Sequence, residues 1–117
     1  MKIGFTASAF DLLHCGHVSM LEEAKSNCDY LICGLHVDPS LTRPSKNKPS
    51  QTLVERYTQL RAVSFVDEIL PYETEEDIID IMLLRRVGVR IIGEEYKNSE
   101  FTGFDLPVQT VFNKRLH

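Results

Sequence analysis

The sequence predicts a three-layer α/β/α fold in which helices cover both faces of a parallel sheet. Short apolar runs of strand length alternate along the chain with longer segments of helical periodicity, the pattern of repeated strand–helix–strand units. The run Tyr30–His36 is almost continuously apolar, which is typical of a strand buried on both faces. With 117 residues, of which 43% are hydrophobic, we expect one domain over residues 1–117.

Around that strand, the first half of the chain predicts one more strand, two helices and a long loop. Lys2–Thr6 predicts the first strand, and Gly16–Asn27 predicts the first helix because its apolar residues recur at helical spacing. Asp38–Ser50 holds three prolines and is expected to be a loop, and ordered loops of this length are typically functional. Thr52-Leu-Val-Glu55 has the capping-box pattern, which predicts a second helix that runs to about Ser64.

The second half of the chain predicts a third helix among short strands. Thr74-Glu-Glu-Asp77 resembles another capping box and opens a helix through Arg86, which Gly88 is expected to end as its C′ residue. Strands are predicted at Glu68–Leu70, Val89–Gly93 and Pro107–Phe112, with residues 94–105 as a polar loop. In folds of this kind ligands bind beyond the carboxyl ends of the strands.

Composition and charge exclude several classes of protein. The net charge of −4 and the pI of about 5.5 argue against a nucleic-acid partner. No apolar run approaches the ~20 residues that a membrane span needs, and the start of the chain is too short and broken for a signal peptide. Three cysteines without a zinc-type spacing favour a reducing cytoplasm.

Basic residues are concentrated in one segment of this acidic chain. Residues 43–61 carry five Lys and Arg side chains against a single acid, whereas residues 67–80 are acidic and contain no base. Such a local basic cluster indicates a small anionic ligand. A solvated surface face is the alternative interpretation.

The segment between the first strand and the first helix carries the most chemical information. His14 and His17 flank Gly16 at the position where α/β folds bind phosphate groups. Gly16 lets a ligand approach the main chain closely, and two imidazoles that converge on one anion stabilise the charge of a phosphoryl transition state. The alternatives are a metal site, for which the sequence offers no obvious further ligands, and histidines that only satisfy hydrogen bonds. Asp11 is either a turn residue or part of the site.

The stretch from Phe10 to Lys25, FDLLHCGHVSMLEEAK, resembles the HxGH signature of the nucleotidyltransferase superfamily. It is most similar to the cytidylyltransferase branch that contains glycerol-3-phosphate cytidylyltransferase. Three further elements follow in the order of that branch: a basic loop at Lys46-Asn-Lys-Pro49, Glu55-Arg56, and Phe65-Val-Asp-Glu-Ile-Leu-Pro71. The likeness covers about residues 2–115. It implies a Rossmann-like nucleotidyltransferase fold and a homodimer.

The resemblance also implies an activity and the residues that carry it. The implied reaction transfers CMP from CTP, or a nucleotidyl group from another nucleoside triphosphate, to a small alcohol phosphate such as glycerol 3-phosphate, and releases pyrophosphate. His14, His17 and Lys46 are implied as catalytic, and Asp11, Lys46 and Arg56 as contacts of the acceptor. Mg²⁺ is implied as the cofactor, carried by phosphate oxygens and water. The implied nucleotide contacts are Ala9, Phe10, His14, Gly16, His17, Lys48, Glu95, Lys114 and Arg115.

The sequence departs from this branch at several places. The family's GTFD turn is Ser8-Ala9-Phe10-Asp11 here, its GDDW-like segment is Gly93-Glu94-Glu95-Tyr96, and its acceptor-binding Lys before the third helix has no counterpart. The chain ends at His117 without the family's ISTT-type helix, so we expect a truncated form, a fragment or a divergent member. An adenylyltransferase of the same superfamily, forming FAD or another dinucleotide, and an inactive nucleotide-binding remnant are the alternative functions.

Overall fold

The structure, a computed structural model, describes residues 1–113. Short 3-10 turns at Pro39–Leu41 and Glu94–Tyr96 follow the second and fourth strands. Lys114 and Arg115, two of the expected nucleotide contacts, lie outside the described residues. The main elements in chain order are β1 (Ile3–Ser8), α1 (Cys15–Ser26), β2 (Tyr30–His36), α2 (Leu53–Leu60), β3 (Glu68–Tyr72), α3 (Glu75–Leu84), β4 (Val89–Gly93) and β5 (Gln109–Asn113).

The strands form one parallel sheet of five strands in the order β3-β2-β1-β4-β5. Alternate residues of β2 point to opposite faces, so that Leu31 packs with α1 and α2 while Ile32 packs with α3. Each fully buried aliphatic or aromatic side chain in these two layers contributes roughly 1.5–3 kcal/mol relative to exposure. The predicted three-layer α/β/α fold is therefore confirmed. Within residues 1–113 no helix is long and apolar enough to cross a membrane.

The central strand β1 is paired unequally with its two neighbours. Its register with β2 runs along the whole strand, from Ile3 opposite Tyr30 to Ser8 opposite Leu35. Its register with β4 contains only Gly4 opposite Val89 and Phe5 opposite Arg90. Both strands continue beyond this short seam, to Ser8 and to Gly93. The carboxyl-terminal halves of β1 and β4 therefore diverge, and a cleft opens between them.

Two helices end earlier than the sequence predicted. Helix α2 ends at Leu60 and not near Ser64, because the chain then tightens into turns in which Ala62 N–H bonds Gln59 O and Val63 N–H bonds Leu60 O. Such tighter bonds are common where a helix terminates.

Helix α3 stops at Leu84, and its stop signal is Arg86 rather than Gly88. Arg86 adopts the left-handed conformation with φ of 52°, while Val87 N–H bonds Met82 O and Arg86 N–H bonds Leu83 O. These two bonds are those of a Schellman motif, in which a non-glycine residue occupies C′ here.

The strand boundaries were predicted well where both faces of the strand are buried. β2 and β4 have the predicted bounds, whereas β1 extends to Ser8 and β3 extends through Pro71 to Tyr72. Proline is tolerated in β3 because β3 is an edge strand of the described sheet.

Candidate active site

The cleft between β1 and β4 has a volume of about 380 Å³ and lies at the carboxyl ends of the strands. Its floor is formed by the diverging main chains of β1 and β4, and its walls come from α1, the loop after β2, and the segment after β4. This is the location that the strand–helix pattern predicted for a ligand. The charged, imidazole and phenol side chains that line it are His14, His17, Glu23, His36, Arg43, Lys46, Tyr72, Glu75, Arg90 and Tyr96.

His14 and His17 cap the first turn of α1 with their own side chains. Nδ1 of His14 accepts from Gly16 N–H at 2.9 Å, and Nδ1 of His17 accepts from His14 N–H at 3.1 Å. A neutral imidazole that accepts at Nδ1 carries its proton on Nε2. Because both rings also line the cleft, with centroids 4.1 Å apart, they present two Nε2–H donors at the amino terminus of a helix.

The turn before α1 is held in an uncommon backbone conformation. Phe10 and Leu12 both adopt positive φ, 48° and 51° respectively, at positions that have a side chain. Phe10 is 1% exposed and packs in the core, and its ring centroid lies 6.1 Å from that of His17. The ring of Phe10 therefore has a core role, in which it fixes the position of the His17 imidazole, and the expected nucleotide contact of Phe10 stays a prediction.

Asp11 connects this turn to the start of α2. Its carboxylate accepts from the main-chain N–H of Ser50 at 2.8 Å and of Gln51 at 3.0 Å, while Gln51 returns a side-chain bond to Leu12 N–H. Burial by itself raises the pKa of Asp11, but the bonds from Ser50 and Gln51 outweigh it and lower the pKa overall. The structure thus favours the turn interpretation of Asp11 over an acceptor contact.

Arg56 is buried, with 2% exposure, and its guanidinium faces main-chain carbonyls. It donates to Gln51 O at 3.2 Å, Ala9 O at 3.0 Å, His36 O at 2.6 Å and Val37 O at 2.7 Å. Burial lowers the pKa of Arg56, although it remains far above neutral pH. Arg56 is absent from the lining of the cleft within the described residues. In this structure Arg56 holds the chain at the ends of β1 and β2 in place, and its expected contact with the acceptor stays a prediction.

The far wall of the cleft contains charged residues that sequence reasoning did not single out. Arg43 forms an ion pair with Glu75 and a side-chain hydrogen bond with Tyr96. Arg90, 7% exposed, donates to Thr102 O, and its guanidinium carbon lies 5.1 Å from the ring centroid of Phe101. An arginine inside the otherwise apolar strand β4 was the available sequence signal, because charged residues are seldom buried without a partner.

The structure brings together only part of the expected nucleotide and acceptor contacts. Ala9, His14, Gly16, His17 and Lys46 all line the cleft. The remaining members of the expected set that are described, namely Phe10, Asp11, Lys48, Arg56 and Glu95, are outside its lining.

Glu95 nevertheless lies beside the cleft. It follows β4, and its carboxylate occupies the space that a side chain at Gly93 would need. Its nucleotide contact, like that of Lys48, stays a prediction.

The acidic side chains of the described residues do not form a metal cage. Within residues 1–113 no group of three or more His, Cys, Asp or Glu side chains is arranged to hold a metal ion. The carboxylate of Glu75 is engaged by Arg43.

Comparisons with known proteins agree with the fold. The profile described as Cytidylyltransferase-like matches residues 5–111. Bifunctional protein HldE of Caulobacter sp. (strain K31) is 37% identical over 107 residues, which are 91% of this chain and 22% of HldE. The chain thus spans about a fifth of the length of the curated relatives that it matches.

Two solved structures share the architecture. A lipopolysaccharide core biosynthesis protein from Thermoplasma volcanium superposes with a TM-score of 0.81 at 20% identity, covering 100% of this chain and 99% of that one. Pantothenate synthetase from Thermus thermophilus superposes with a TM-score of 0.66 at 17% identity, covering 97% of this chain and 56% of that one. At identities this low, the two superpositions show a shared fold and nothing further.

The fold and the cleft define an α/β domain with an open cleft between two diverging strands, at the amino terminus of its first helix. The family profile covers most of the chain, and the identity to HldE is high enough to establish descent. The chain belongs to the cytidylyltransferase-like family, and it is a nucleotidyltransferase domain.

Proposed function

We propose that this domain transfers a nucleotidyl group from a nucleoside triphosphate to a phosphate oxygen of a small phosphorylated acceptor and releases pyrophosphate. The observation that carries the proposal is the pair of Nε2–H donors of His14 and His17 at the amino terminus of α1. They face the cleft at the position where a triphosphate would meet both rings. Preorganised donors of this kind stabilise charge that develops in a transition state.

The proposed reaction needs no general base. An acceptor phosphate oxygen attacks the α-phosphorus, a new P–O bond forms, and the bond from the α-phosphorus to the bridging oxygen breaks as pyrophosphate leaves. The acceptor is already an oxyanion, so the work of the protein is to hold two anions in line and to neutralise them. His14 and His17 donate to the α-phosphoryl oxygens, while Lys46 supplies a mobile positive charge between the two phosphates.

Mg²⁺ fits this scheme as a companion of the triphosphate. It would supply further charge neutralisation on the phosphate oxygens when bound. Glu75 lines the cleft but is already engaged by Arg43, so this chain would contribute few direct ligands.

CTP is the nucleotide that we propose, because the family is cytidylyltransferase-like. An adenylyl donor is the alternative from the same superfamily. The two are separated by a panel of CTP, ATP, GTP and UTP in a thermal-shift assay, since a ligand that binds the folded state raises the Tm.

A homodimer is also proposed. Large apolar side chains are exposed at Leu12 and Val54, in the two segments that meet at the start of α2. Burial of such side chains in a second copy would remove apolar surface from water. Sedimentation at micromolar concentration should give about twice the 13.4 kDa of one chain, and a monomer would refute the proposal.

The decisive experiment measures pyrophosphate release with each nucleoside triphosphate and a set of phosphorylated acceptors. Activity that requires both substrates is expected, and the double variant His14→Ala/His17→Ala is the matched negative control. A protein that binds a nucleotide but releases no pyrophosphate with any pair would be the inactive remnant, and the proposed activity would be wrong.

A further inference from the structure

Strand β4 carries a nearly buried guanidinium group that has no counter-ion. Arg90 is 7% exposed and lines the cleft, and none of the ion pairs within residues 1–113 includes it. An arginine is seldom buried to this extent unless it is paired with an acid. A buried charge without a partner is costly, so one that borders a ligand cleft indicates an anion that the ligand supplies.

The hydrogen bonds of Arg90 are also incomplete. Its guanidinium donates to Thr102 O, and the guanidinium carbon lies 5.1 Å from the ring centroid of Phe101. A guanidinium has five N–H groups, and the part of the chain that the structure describes supplies no acceptor for the others. The two contacts therefore hold Arg90 against one wall of the cleft, while its remaining donors can bind a ligand.

The carboxylate that acts on Arg90 is already engaged by another cation. Burial lowers the pKa of Arg90, and the negative charge of Glu75 opposes this effect. Glu75, however, forms its ion pair with Arg43, which lines the same wall. One carboxylate is therefore shared by two guanidinium groups, and one positive charge is left over.

The other polar groups nearby do not neutralise this charge. Asp38 is the second acid on this side of the cleft, but its carboxylate accepts from the N–H and the hydroxyl of Ser40 and acts on the imidazole of His36. Tyr72 and Tyr96 also act on Arg90, and phenols are uncharged at neutral pH. Among residues 1–113, Arg90 therefore has no full counter-charge.

Arg90 lies on the opposite side of the sheet from the two histidines of α1. Val89 and Ile91 pack in the core on the α1 side, so the side chain of Arg90, which alternates with them along β4, lies on the α3 side. A side chain at Gly103 would meet both Met82 of α3 and a terminal nitrogen of Arg90, in agreement with this placement. The cleft therefore has hydrogen-bond donors on both sides of the sheet.

The proposed reaction brings two phosphate groups together, and the cleft offers each of them a separate position. We infer that Arg90 binds the phosphate of the acceptor on the α3 side, opposite the imidazoles of His14 and His17 that hold the triphosphate. An in-line displacement needs the attacking and leaving oxygens on opposite sides of the α-phosphorus, which two such positions provide. This inference rests on the proposed function, and it adds a binding residue that lies outside both the HxGH segment and the basic loop.

Steady-state pyrophosphate release, with both substrates varied, tests this assignment. Arg90→Met removes the charge, Arg90→Lys keeps it, and Phe101→Leu removes only the ring beside the guanidinium. Arg61→Met removes an exposed charge at the end of α2 and is the matched control. Arg90→Met should raise KM for the acceptor about 10- to 100-fold, the range expected for a hydrogen bond to a charged group. Arg90→Lys should recover part of that loss.

The other kinetic constants decide between ligand binding and a structural role. KM for the nucleotide should stay near the wild-type value in Arg90→Met, and both KM values should stay there in Phe101→Leu and Arg61→Met. A rise in KM for the nucleotide instead of the acceptor overturns the inference, because it places the triphosphate on Arg90. An equal rise in Phe101→Leu also overturns it, since Arg90 would then act by holding the wall of the cleft. Unchanged constants in Arg90→Met overturn it as well.

A binding measurement on wild-type protein separates this inference from the proposed function and needs no variant that must fold. The nucleotide position is first saturated with a non-hydrolysable α,β-methylene analogue of the nucleotide selected by thermal shift. Inorganic phosphate should then shift the Nε–Hε resonance of Arg90 in ¹H–¹⁵N NMR, and sodium chloride at equal ionic strength should not. If no substrate pair releases pyrophosphate, the proposed function fails, while this titration still decides the role of Arg90. A resonance that inorganic phosphate leaves unmoved refutes the inference.

Discussion

Replacement of Arg56 by methionine tests whether the buried guanidinium is an anchor of the fold or a contact of the acceptor. Methionine retains most of the volume of the side chain but donates no hydrogen bonds. The carbonyls of Gln51, Ala9, His36 and Val37 would all lose their donor. These carbonyls come from three segments of the chain, so the substitution removes the hydrogen bonds that hold the three segments together.

The expected cost follows from those bonds. A buried acceptor left without a partner costs about 1–3 kcal/mol, and water restores part of that at the carbonyls nearer the surface. We expect a loss of about 3–5 kcal/mol in the free energy of unfolding, comparable with breaking a buried charged interaction. For a domain of this size that corresponds to a decrease in Tm of about 12–20 °C. Arg56→Lys retains a charge and some donors and should lose roughly half as much.

The assay is thermal and urea unfolding of Arg56→Met, Arg56→Lys and a control, Arg61→Met. Arg61 is exposed at the carboxyl end of the same helix, and its replacement should change stability by less than about 0.5 kcal/mol. A Tm of Arg56→Met within about 3 °C of wild type, together with a raised KM for the acceptor alone, would refute the anchor and restore the acceptor contact.

Three further outcomes are expected. His14→Asn keeps an oxygen that caps α1 but loses Nε2, so its Tm should be close to that of wild type while its turnover falls about 10²–10³-fold. His17→Ala should lose turnover by the same factor. Near-normal turnover of both variants would show that the two histidines take no part in the reaction. Lys46→Ala should lower kcat as well as raise KM for the acceptor, and it should change the free energy of unfolding by no more than about 0.5 kcal/mol. Unchanged kinetic constants would show that Lys46 belongs to a solvated loop without a role in the reaction. Burial raises the pKa of Asp67, but its bonds to Lys25 and the Leu31 N–H lower it overall. Its stabilising contribution is therefore complete above its ordinary pKa of about 3.9 and is lost as pH falls through the lower folded value, so Asp67→Asn should flatten the acid limb of Tm against pH.

The sequence predicted the parts of the fold that depend on local pattern. The bounds of β2 and β4 follow from continuous apolar runs, and the capping boxes at Thr52 and Thr74 were both formed as expected. The position of His14 and His17 between a strand and a helix was equally local. A Schellman motif on Arg86 was missed, because glycine is the usual residue there and no local signal distinguishes Arg86.

The far wall of the cleft depends on tertiary structure, and its only local signal was Arg90, a charged residue inside an apolar strand. Arg43 comes from the loop after β2, Glu75 from the start of α3 and Arg90 from β4. These segments are far apart in the sequence, and the order of the strands in the sheet brings them to one cleft. The surroundings of Arg56 could not be predicted either: the family resemblance implied a contact with the acceptor, and no local pattern indicates the carbonyl partners of its guanidinium. The guanidinium donates to the nearby carbonyl of Gln51 and to the carbonyls of Ala9, His36 and Val37, which lie far from Arg56 in the sequence.

The short seam between β1 and β4 divides the sheet into two parts. One part contains β1, β2 and β3, the other contains β4 and β5, and the pairs at Gly4 and Phe5 join them. A nucleotide bound in the cleft would contact both parts and so link them while it is bound. A ligand at one hundred times its Kd raises the free energy of unfolding by about 2.7 kcal/mol. Here the bound ligand would also oppose separation of the two parts of the sheet. Amide hydrogen exchange in β4 and β5 should therefore slow together when a nucleotide binds. The same experiment would report both the nucleotide affinity and the free energy of opening between the two parts of the sheet.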